Sequence, residues 1–193
     1  MTESTDPYLY PGTEVLKNLR NIRDSEVLSE FEAEAAGRRL LELTASPAEG
    51  QFNTVHLRAI HKYIFQDVFA WAGHFRTVDI SKGGHQFARA DFLEIALADL
   101  FRKLGLEKYL LGLDAPTFAK RAAFFMGEIN AAHPFREGNG RTQREFIRQL
   151  AVKSGVTLNW SRITRDQMTA ASRSSFLTGE IDGLTGLITT CLS

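Results

Sequence analysis

The sequence predicts an all-α domain, a bundle of helices interrupted by one β-hairpin. Three observations carry this reading. Apolar residues recur at three- and four-residue steps through most of the chain, the period of helices packed on one another. A single segment, Arg76 to Ala88, breaks that period. No internal repeat, low-complexity run or Pro/Ser-rich linker divides the 193 residues, a length that suits one domain with a proper core. The expected organisation is one domain over 1–193, with its core at about 25–155 and a helical carboxyl-terminal part at 156–193.

The elements follow in order. From Ser25 to Leu43 the apolar residues Val27, Leu28, Phe31, Ala35, Leu40 and Leu41 form one stripe, with Ser25 placed as the N-cap. A second helix follows Thr54, with Leu57, Ile60, Ile64, Phe65, Val68 and Phe69 continuing the pattern to Trp71 and Gly73 as the stop. A third begins near Asp91 and carries Phe92, Leu93, Ala96, Leu97, Leu100, Phe101 and Leu104. Asp114 caps a fourth with Phe118, Ala122, Phe125, Met126 and Ile129, and a fifth runs from about Asn139 to Gly155. Between the second and third, Val78 and Ile80 alternate with polar residues before Lys82-Gly83-Gly84 and a second short run ending in Phe87, which is a hairpin signal. Such a ribbon is marginal alone and must lean on the helices. It is either surface decoration or a flap over a site.

Composition excludes several classes. Lys+Arg and Asp+Glu balance at 23 each, so no overall basic field draws the chain to nucleic acid or an anionic membrane. The single cysteine, Cys191, permits neither an internal disulfide nor a cysteine-based zinc site, which fits a reducing compartment. Met1 to Pro11 is polar and lacks the basic start and apolar core of a secretory signal, and no stretch approaches membrane-span length. A cytoplasmic protein is expected, with signal-independent export as an effector left open. His56 and His61, five residues apart on a helix, do not face one ion and read as structural histidines, as do His74 and His85 beside the hairpin.

The densest chemical signal is the run from His133 to Arg144 between the fourth and fifth helices, His-Pro-Phe-Arg-Glu-Gly-Asn-Gly-Arg-Thr-Gln-Arg. Pro134 ends the preceding helix and so delivers His133 at its terminus. Phe135 anchors the turn in the core. Gly138 and Gly140 leave backbone amides unshielded at a helix start, where unpaired N–H groups and the dipole favour an anion. Arg141 and Arg144, three residues apart, lie on one face and offer forked donors to phosphate oxygens. Glu137 at the mouth of this cradle would repel phosphate unless a hard cation such as Mg²⁺ lay between. His133 then suits a general base. Each piece alone has a structural reading; their convergence within one helix entrance is what points to polyphosphate chemistry.

This run resembles the signature of the Fic (filamentation induced by cAMP) family, H-x-F-x-[D/E]-G-N-G-R-x-x-R, and every fixed position from His133 to Arg144 matches. Tyr8 to Gly12, Leu57 to Arg76 with its Trp71-Ala72-Gly73, and the hairpin before Phe87 are similar to further landmarks of that fold. The nearest likeness is to compact bacterial Fic toxins and to Fic domains at the front of some translocated effectors. The resemblance implies a protein adenylyltransferase that moves AMP from ATP onto a Tyr, Ser or Thr hydroxyl and releases pyrophosphate. It implies His133 as the base, Glu137 holding Mg²⁺, Gly138, Asn139 and Gly140 as the anion hole, and Arg141 and Arg144 on the β- and γ-phosphates. It makes the hairpin a flap that pairs with the target, with Lys82 and Gly83 near the nucleotide. Where relatives often place an asparagine toward adenine, this chain has Ser172.

The family's inhibitory pattern, [S/T]-x-x-x-E-[G/N], has no match here: Glu49-Gly50 has Ala45 four residues upstream, and Glu137-Gly138 has His133. A separate small helical antitoxin bearing that glutamate is the implied brake. By resemblance the first target candidates are the ATPase subunits of type II topoisomerases, DNA gyrase and topoisomerase IV, with host small GTPases open for an effector. Two rival readings remain: a Fic-like transferase of another phosphoryl or nucleotidyl group, against which Gly138 and Gly140 argue, and a catalytically silent nucleotide-binding module, against which His133 and Glu137 argue.

Overall fold

Why the apolar period becomes helices, and where each one stops, is visible at the caps. A computed structural model describes residues 6–193, so the first five residues of the polar amino-terminal segment lie outside the described residues. Helix α1 spans Ser25–Ala45 and is capped by Asp24, whose carboxylate accepts from the amides of Glu26 at 2.9 Å and Val27 at 3.0 Å. Asp24 displaces the expected Ser25 because its charged acceptor satisfies two orphan donors at the positive end of the dipole. The buried face of α1 is Leu28, Ala35, Ala36 and Leu43, whereas Val27 and Leu41 are exposed, being rotated off that face.

Helix α2 spans Thr54–Phe65, capped by Asn53, and ends well before Trp71. The amides of Val68 and Phe69 both turn back to the Phe65 carbonyl at 3.0 Å, and Arg39 of α1 grips Asp67 at 2.7 and 3.0 Å. Val68 and Phe69 are nevertheless buried, so the apolar pattern outlives the helix that it suggested. Helix α3 spans Leu93–Leu106 after a 3₁₀ turn at Ala90–Phe92, which leaves Phe92 on the surface instead of in the expected core stripe. Helix α4 spans Ala115–Ala132, with Asp114 accepting from the Thr117 amide at 2.8 Å as the sequence indicates. Helices α5 (Asn139–Lys153), α6 (Arg165–Thr178, opened by a Thr164/Gln167 capping box) and α7 (Asp182–Cys191) complete the bundle.

Helix α4 is the axis: α3, α5, α6 and α7 all pack on it, and α1 joins through α2. Phe65, Phe118, Phe125, Phe135 and Phe146 are fully buried among Leu57, Ile60, Ile64 and Leu97. The solitary thiol of Cys191 is buried at the end of α7.

The hairpin is shorter than the Val78–Ile80 alternation suggests. Strands β1 (Ser81–Lys82) and β2 (His85–Gln86) pair antiparallel, Ser81 with Gln86 and Lys82 with His85, and the Phe87 amide adds a bond to the Ile80 carbonyl at 3.2 Å. All six residues from Ser81 to Gln86 are exposed. Two pairs cannot hold a ribbon in water.

Arg76 holds it instead. Its side chain is buried, and it donates to the carbonyls of His133 at 2.9 Å, Val78 at 2.7 Å and Ala132 at 3.2 Å, and to that of Ala88. The Arg76 amide donates to the Pro134 carbonyl at 2.9 Å. One guanidinium thus closes the last orphan carbonyls of α4 and clamps both ends of the hairpin to them. Arg76→Lys keeps the charge but cannot fork to four acceptors, so a loss of about 2–4 kcal/mol is expected from the carbonyls left unpaired. Denaturant unfolding checks the magnitude, and hydrogen exchange should show the amides between Ile80 and Phe87 losing protection first.

Candidate active site

The site is built where α4 ends and α5 begins. His133 is the C-cap of α4 in the left-handed conformation, φ 46° and ψ 59°, a strained position for a residue with a Cβ. Pro134 forces the chain out of the helix there, and Arg76 at the His133 carbonyl keeps it so. The imidazole is stacked on Phe87, centroids 3.9 Å apart and planes 19° apart, and its Nδ1 lies 3.4 Å from the Asn130 carbonyl. A carbonyl only accepts, so the proton sits on Nδ1 and Nε2 is left with its lone pair. Burial pushes the pKa down to about 4, opposed by the Asn130 bond and the Glu137 charge, with Arg76 and Lys82 adding to the depression. At neutral pH the ring is an uncharged acceptor.

Next in the chain comes the loop, and its shape is fixed from below. Phe135 enters the core and stacks on His61 at 3.8 Å. His61 is fully buried; its Nδ1 accepts from the Gly73 amide at 2.8 Å, so Nε2–H donates to the Glu137 carbonyl at 3.0 Å. Asn139 spends its side chain on the loop itself, accepting from the Phe135 amide at 2.8 Å and donating to the Phe135 carbonyl at 2.7 Å. Thr142 ties down the Gly138 carbonyl through its amide and hydroxyl. Gly138 has φ 81°, and a Cβ there would lie 2.2 Å from the Phe65 ring, so only glycine fits. Gly140 is exposed at the first turn of α5, with open space around it except for the Arg144 guanidinium 3.4 Å from a notional Cβ. The result is a run of amides at the positive end of α5, the first of which, that of Gly138, is taken by the Glu137 carboxylate.

The two arginines differ. Arg141 lies over the Phe65 ring at 4.7 Å and is engaged by Glu32 of α1 at 2.5 Å and, more loosely, by Glu137 at 3.6 Å. Burial raises the pKa of Glu32, and Arg141 pulls it back. Arg144 has no ion-pair partner among the described residues, and its pKa is lowered by burial first and then by Arg141 and Arg165. A half-buried guanidinium beside two others suits an anion. Glu145, the carboxylate next to it, is taken by Arg148 at 2.7 Å and Gln149. Glu137 is half exposed, and its Oε1 accepts from the Gly138 amide at 2.7 Å, in effect standing in the cradle.

The remaining sequence candidates fall round this centre. Lys82 and Gly83 sit at the exposed tip of the hairpin, where Gly83 and Gly84 take φ of 59° and 80°, and the Lys82 charge reaches His133. Ser172 lies on α6 across from α4, its carbonyl accepting from Asn130 Nδ2 at 3.0 Å and its hydroxyl 3.6 Å from Met168 Sδ. His133, Glu137, Gly138, Asn139, Gly140, Arg141 and Arg144 therefore lie on one loop and the first turn of α5, Lys82 is near enough for its charge to bear on His133, and Ser172 lies against α4 at Asn130. Sequence reasoning missed Glu32, His61, Arg76 and Thr142, none of which carries a local signal for its partner. Among the described residues no three His, Cys, Asp or Glu side chains form a metal cluster. A Mg²⁺ here would rest on Glu137 together with phosphate oxygens, the usual donor set for that ion.

Two outcomes follow from this geometry. Gly138→Ala must fit a Cβ into the Phe65 ring and hold a positive φ, so polyphosphate binding, measured with ATP by calorimetry, should be lost while the helices persist by circular dichroism. His61, with a pKa lowered to about 3, and His133, at about 4, titrate in the unfolded chain near 6.5. The unfolded state therefore binds more protons below that pH, and stability is full above about 6.5 and falls as pH drops toward the folded values. Each histidine takes away up to about 1.4 kcal/mol per pH unit in that window. Urea midpoints at pH 7, 6 and 5 should decline in step, and a flat series would show that the rings are not held neutral.

Comparison with known proteins agrees with this geometry. Residues 51–151 match the model of the Fic/DOC family. The chain is 44% identical over 185 residues to the protein adenylyltransferase VbhT of Bartonella schoenbuchensis, covering 96% of this chain and 38% of that protein. It is 37% identical over 185 residues to the probable protein adenylyltransferase Fic of Escherichia coli strain K12, covering 96% and 90%. Among solved structures, BepC, a VirB-translocated effector of Bartonella tribocorum with bound AMPPNP, superposes with a TM-score of 0.91 at 29% identity, covering 96% of each chain. The chain thus spans well under half the length of VbhT but nearly all of the E. coli relative. With the matched model spanning the loop from His133 to Arg144, and the relatives covering almost every residue, the chain belongs to the Fic/DOC family.

Proposed function

We propose that this chain is a protein adenylyltransferase that moves AMP from ATP to a Tyr, Ser or Thr hydroxyl of another protein. The observation that carries the reading is an imidazole, His133, with Nε2 left free to accept, beside a helix entrance where Arg144 has no ion-pair partner among the described residues. The names of VbhT and of the E. coli relative support the transfer, and the AMPPNP bound by BepC supports a nucleotide in the cradle.

The chemistry follows from the residues. His133 Nε2 accepts the proton of the target hydroxyl as its oxygen attacks the α-phosphorus; the bond to the bridging oxygen breaks and pyrophosphate leaves. The amides of Gly138, Asn139 and Gly140 receive the phosphates, and Arg144 and Arg141 neutralise the charge that the leaving pyrophosphate gathers. Glu137, once released from the Gly138 amide, is the residue that would hold Mg²⁺, which would supply neutralisation of phosphate charge. Lys82 and Gly83 at the flap tip lie toward the nucleotide, and the exposed edge of β1–β2 offers the target backbone a strand partner that sets its hydroxyl in line. Ser172 is the polar contact offered to the base.

The finer assignments belong to the same proposal. Residues 1–193 act as one unit, and ATP consumption suits the cytoplasm. A small helical antitoxin supplies the inhibitory glutamate to Arg144. DNA gyrase and topoisomerase IV are the first targets to try. With Mg²⁺, cell lysate and ATP labelled at the α- or the γ-phosphate, we expect protein-bound α-label that His133→Ala abolishes. Protein-bound γ-label would instead mean a kinase-like transfer, and ATP binding with neither label in the presence of gyrase and topoisomerase IV would favour a silent binding module.

A further inference from the structure

Helix α6 has no part in the chemistry described above except for Ser172, yet it reaches the reactive ring. We propose that Phe176 on α6 is a positioning residue which, through Phe87, holds the His133 imidazole flat and fixed in its reactive orientation. The inference rests on the reading of His133 as the general base.

His133 has little else to fix it. It sits beyond the last helical residue of α4, and its one side-chain hydrogen bond, to the Asn130 carbonyl, is long at 3.4 Å. Such a bond permits the ring to swing about χ1 and χ2, which would carry Nε2 away from an in-line hydroxyl. Face-on contact with Phe87, 3.9 Å between centroids, removes that freedom. But Phe87 lies at the return of a two-pair hairpin whose strands are wholly exposed, so the ribbon cannot by itself keep the Phe87 ring in place.

What backs Phe87 is Phe176, 4.7 Å away with planes 38° apart. Phe176 also meets His85 of β2 edge-on at 6.4 Å and 89°. It is half-buried on a helix that is itself pinned to α4: Asn130 Nδ2 donates to the Ser172 carbonyl, and a Cβ on Gly127 would lie 2.9 Å from Ser175 Oγ, so α4 and α6 meet at a glycine. The order of support runs from the α4–α6 contact to Phe176, to Phe87, to His133. Asn130 belongs to both ends of it, holding α6 by its side chain and His133 by its carbonyl. Aromatic pairs of this geometry add to plain area burial, and the stack also keeps water from one face of the imidazole. The charged groups that bear on His133 are Glu137 on the loop, Arg76, and Lys82 on the hairpin; α6 bears on it only indirectly, through the Phe176 ring behind Phe87.

The test compares Phe176→Ala, Phe176→Leu, which keeps bulk without a ring, and Phe176→Tyr, which keeps the ring. Leu177→Ala, on the exposed side of the same helix, controls for loosening of α6. The first readout is the titration of His133 by NMR in the isolated chain, which needs neither nucleotide nor target. With Phe176→Ala and Phe176→Leu the midpoint should rise by about one pH unit toward that of a free imidazole as water reaches the ring, and Phe176→Tyr should leave it in place. The second readout is adenylyl transfer, where kcat should fall at least about tenfold with KM for ATP within about twofold, and Phe176→Tyr should restore it. An unmoved titration in a folded Phe176→Leu variant overturns the proposal. So does a KM that rises as much as kcat falls, which would make Phe176 a nucleotide contact. If the parent chain transfers no AMP, the adenylyl-transfer reading fails while the titration alone still decides whether Phe176 holds His133.

Discussion

The buried guanidinium of Arg76 is the constraint on which the rest of this end of the molecule depends. A helix terminus leaves carbonyls that need donors, and a two-pair ribbon has too few bonds to stand alone. One side chain answers both needs by joining the Ala132 and His133 carbonyls to those of Val78 and Ala88. Because a guanidinium stays charged and presents five donors in a fixed plane, it sets the angle between α4 and the hairpin as well as the distance. The two ends of the flap and the base are therefore tied at the backbone, which brings Phe87 to the His133 ring but leaves its side chain to be held by packing.

Around that assembly the loop from His133 to Arg144 is held in a conformation that costs free energy. A left-handed histidine, a glycine admitted only because it has no Cβ to strike Phe65, and an asparagine folded back on its own loop are each unfavourable or wasteful for stability alone. They make sense together as preorganisation: the loop is held in one shape by Phe135, His61 and Asn139, and the group that must move to free the Gly138 amide is the Glu137 side chain. His61 supports this from the core, and its neutrality follows from full burial, with no specialised partner required.

Electrostatics divides the two motif arginines into different conditions. Arg141 is already satisfied by Glu32 and lies on Phe65, which fixes its place without leaving it in want of an anion. Arg144 lies near Arg141 and Arg165 with no carboxylate paired to it among the described residues. The cradle is closed for the moment by Glu137, whose carboxylate takes the Gly138 amide.

The sequence by itself determined the helices α3, α4 and α5 closely, the existence of a hairpin, and the membership of the His133–Arg144 loop, because these depend on local signals: apolar period, Asp114 as a cap, Pro134 as a breaker, glycines at a helix entrance. Local signals also misled. Ser25 lost the cap to its neighbour Asp24, whose charge suits the dipole better, and α2 stopped at Phe65 although its apolar pattern ran on, because burial does not require helix once Arg39 has seized Asp67. Only the tertiary structure decided that Arg76 binds carbonyls more than fifty residues away, that Glu32 and not Glu145 faces a motif arginine, and that Phe176 backs the ring over His133. Each of these joins side chains distant in sequence through packing of α1, α4 and α6, and periodicity records which face of a helix is buried but not what it is buried against.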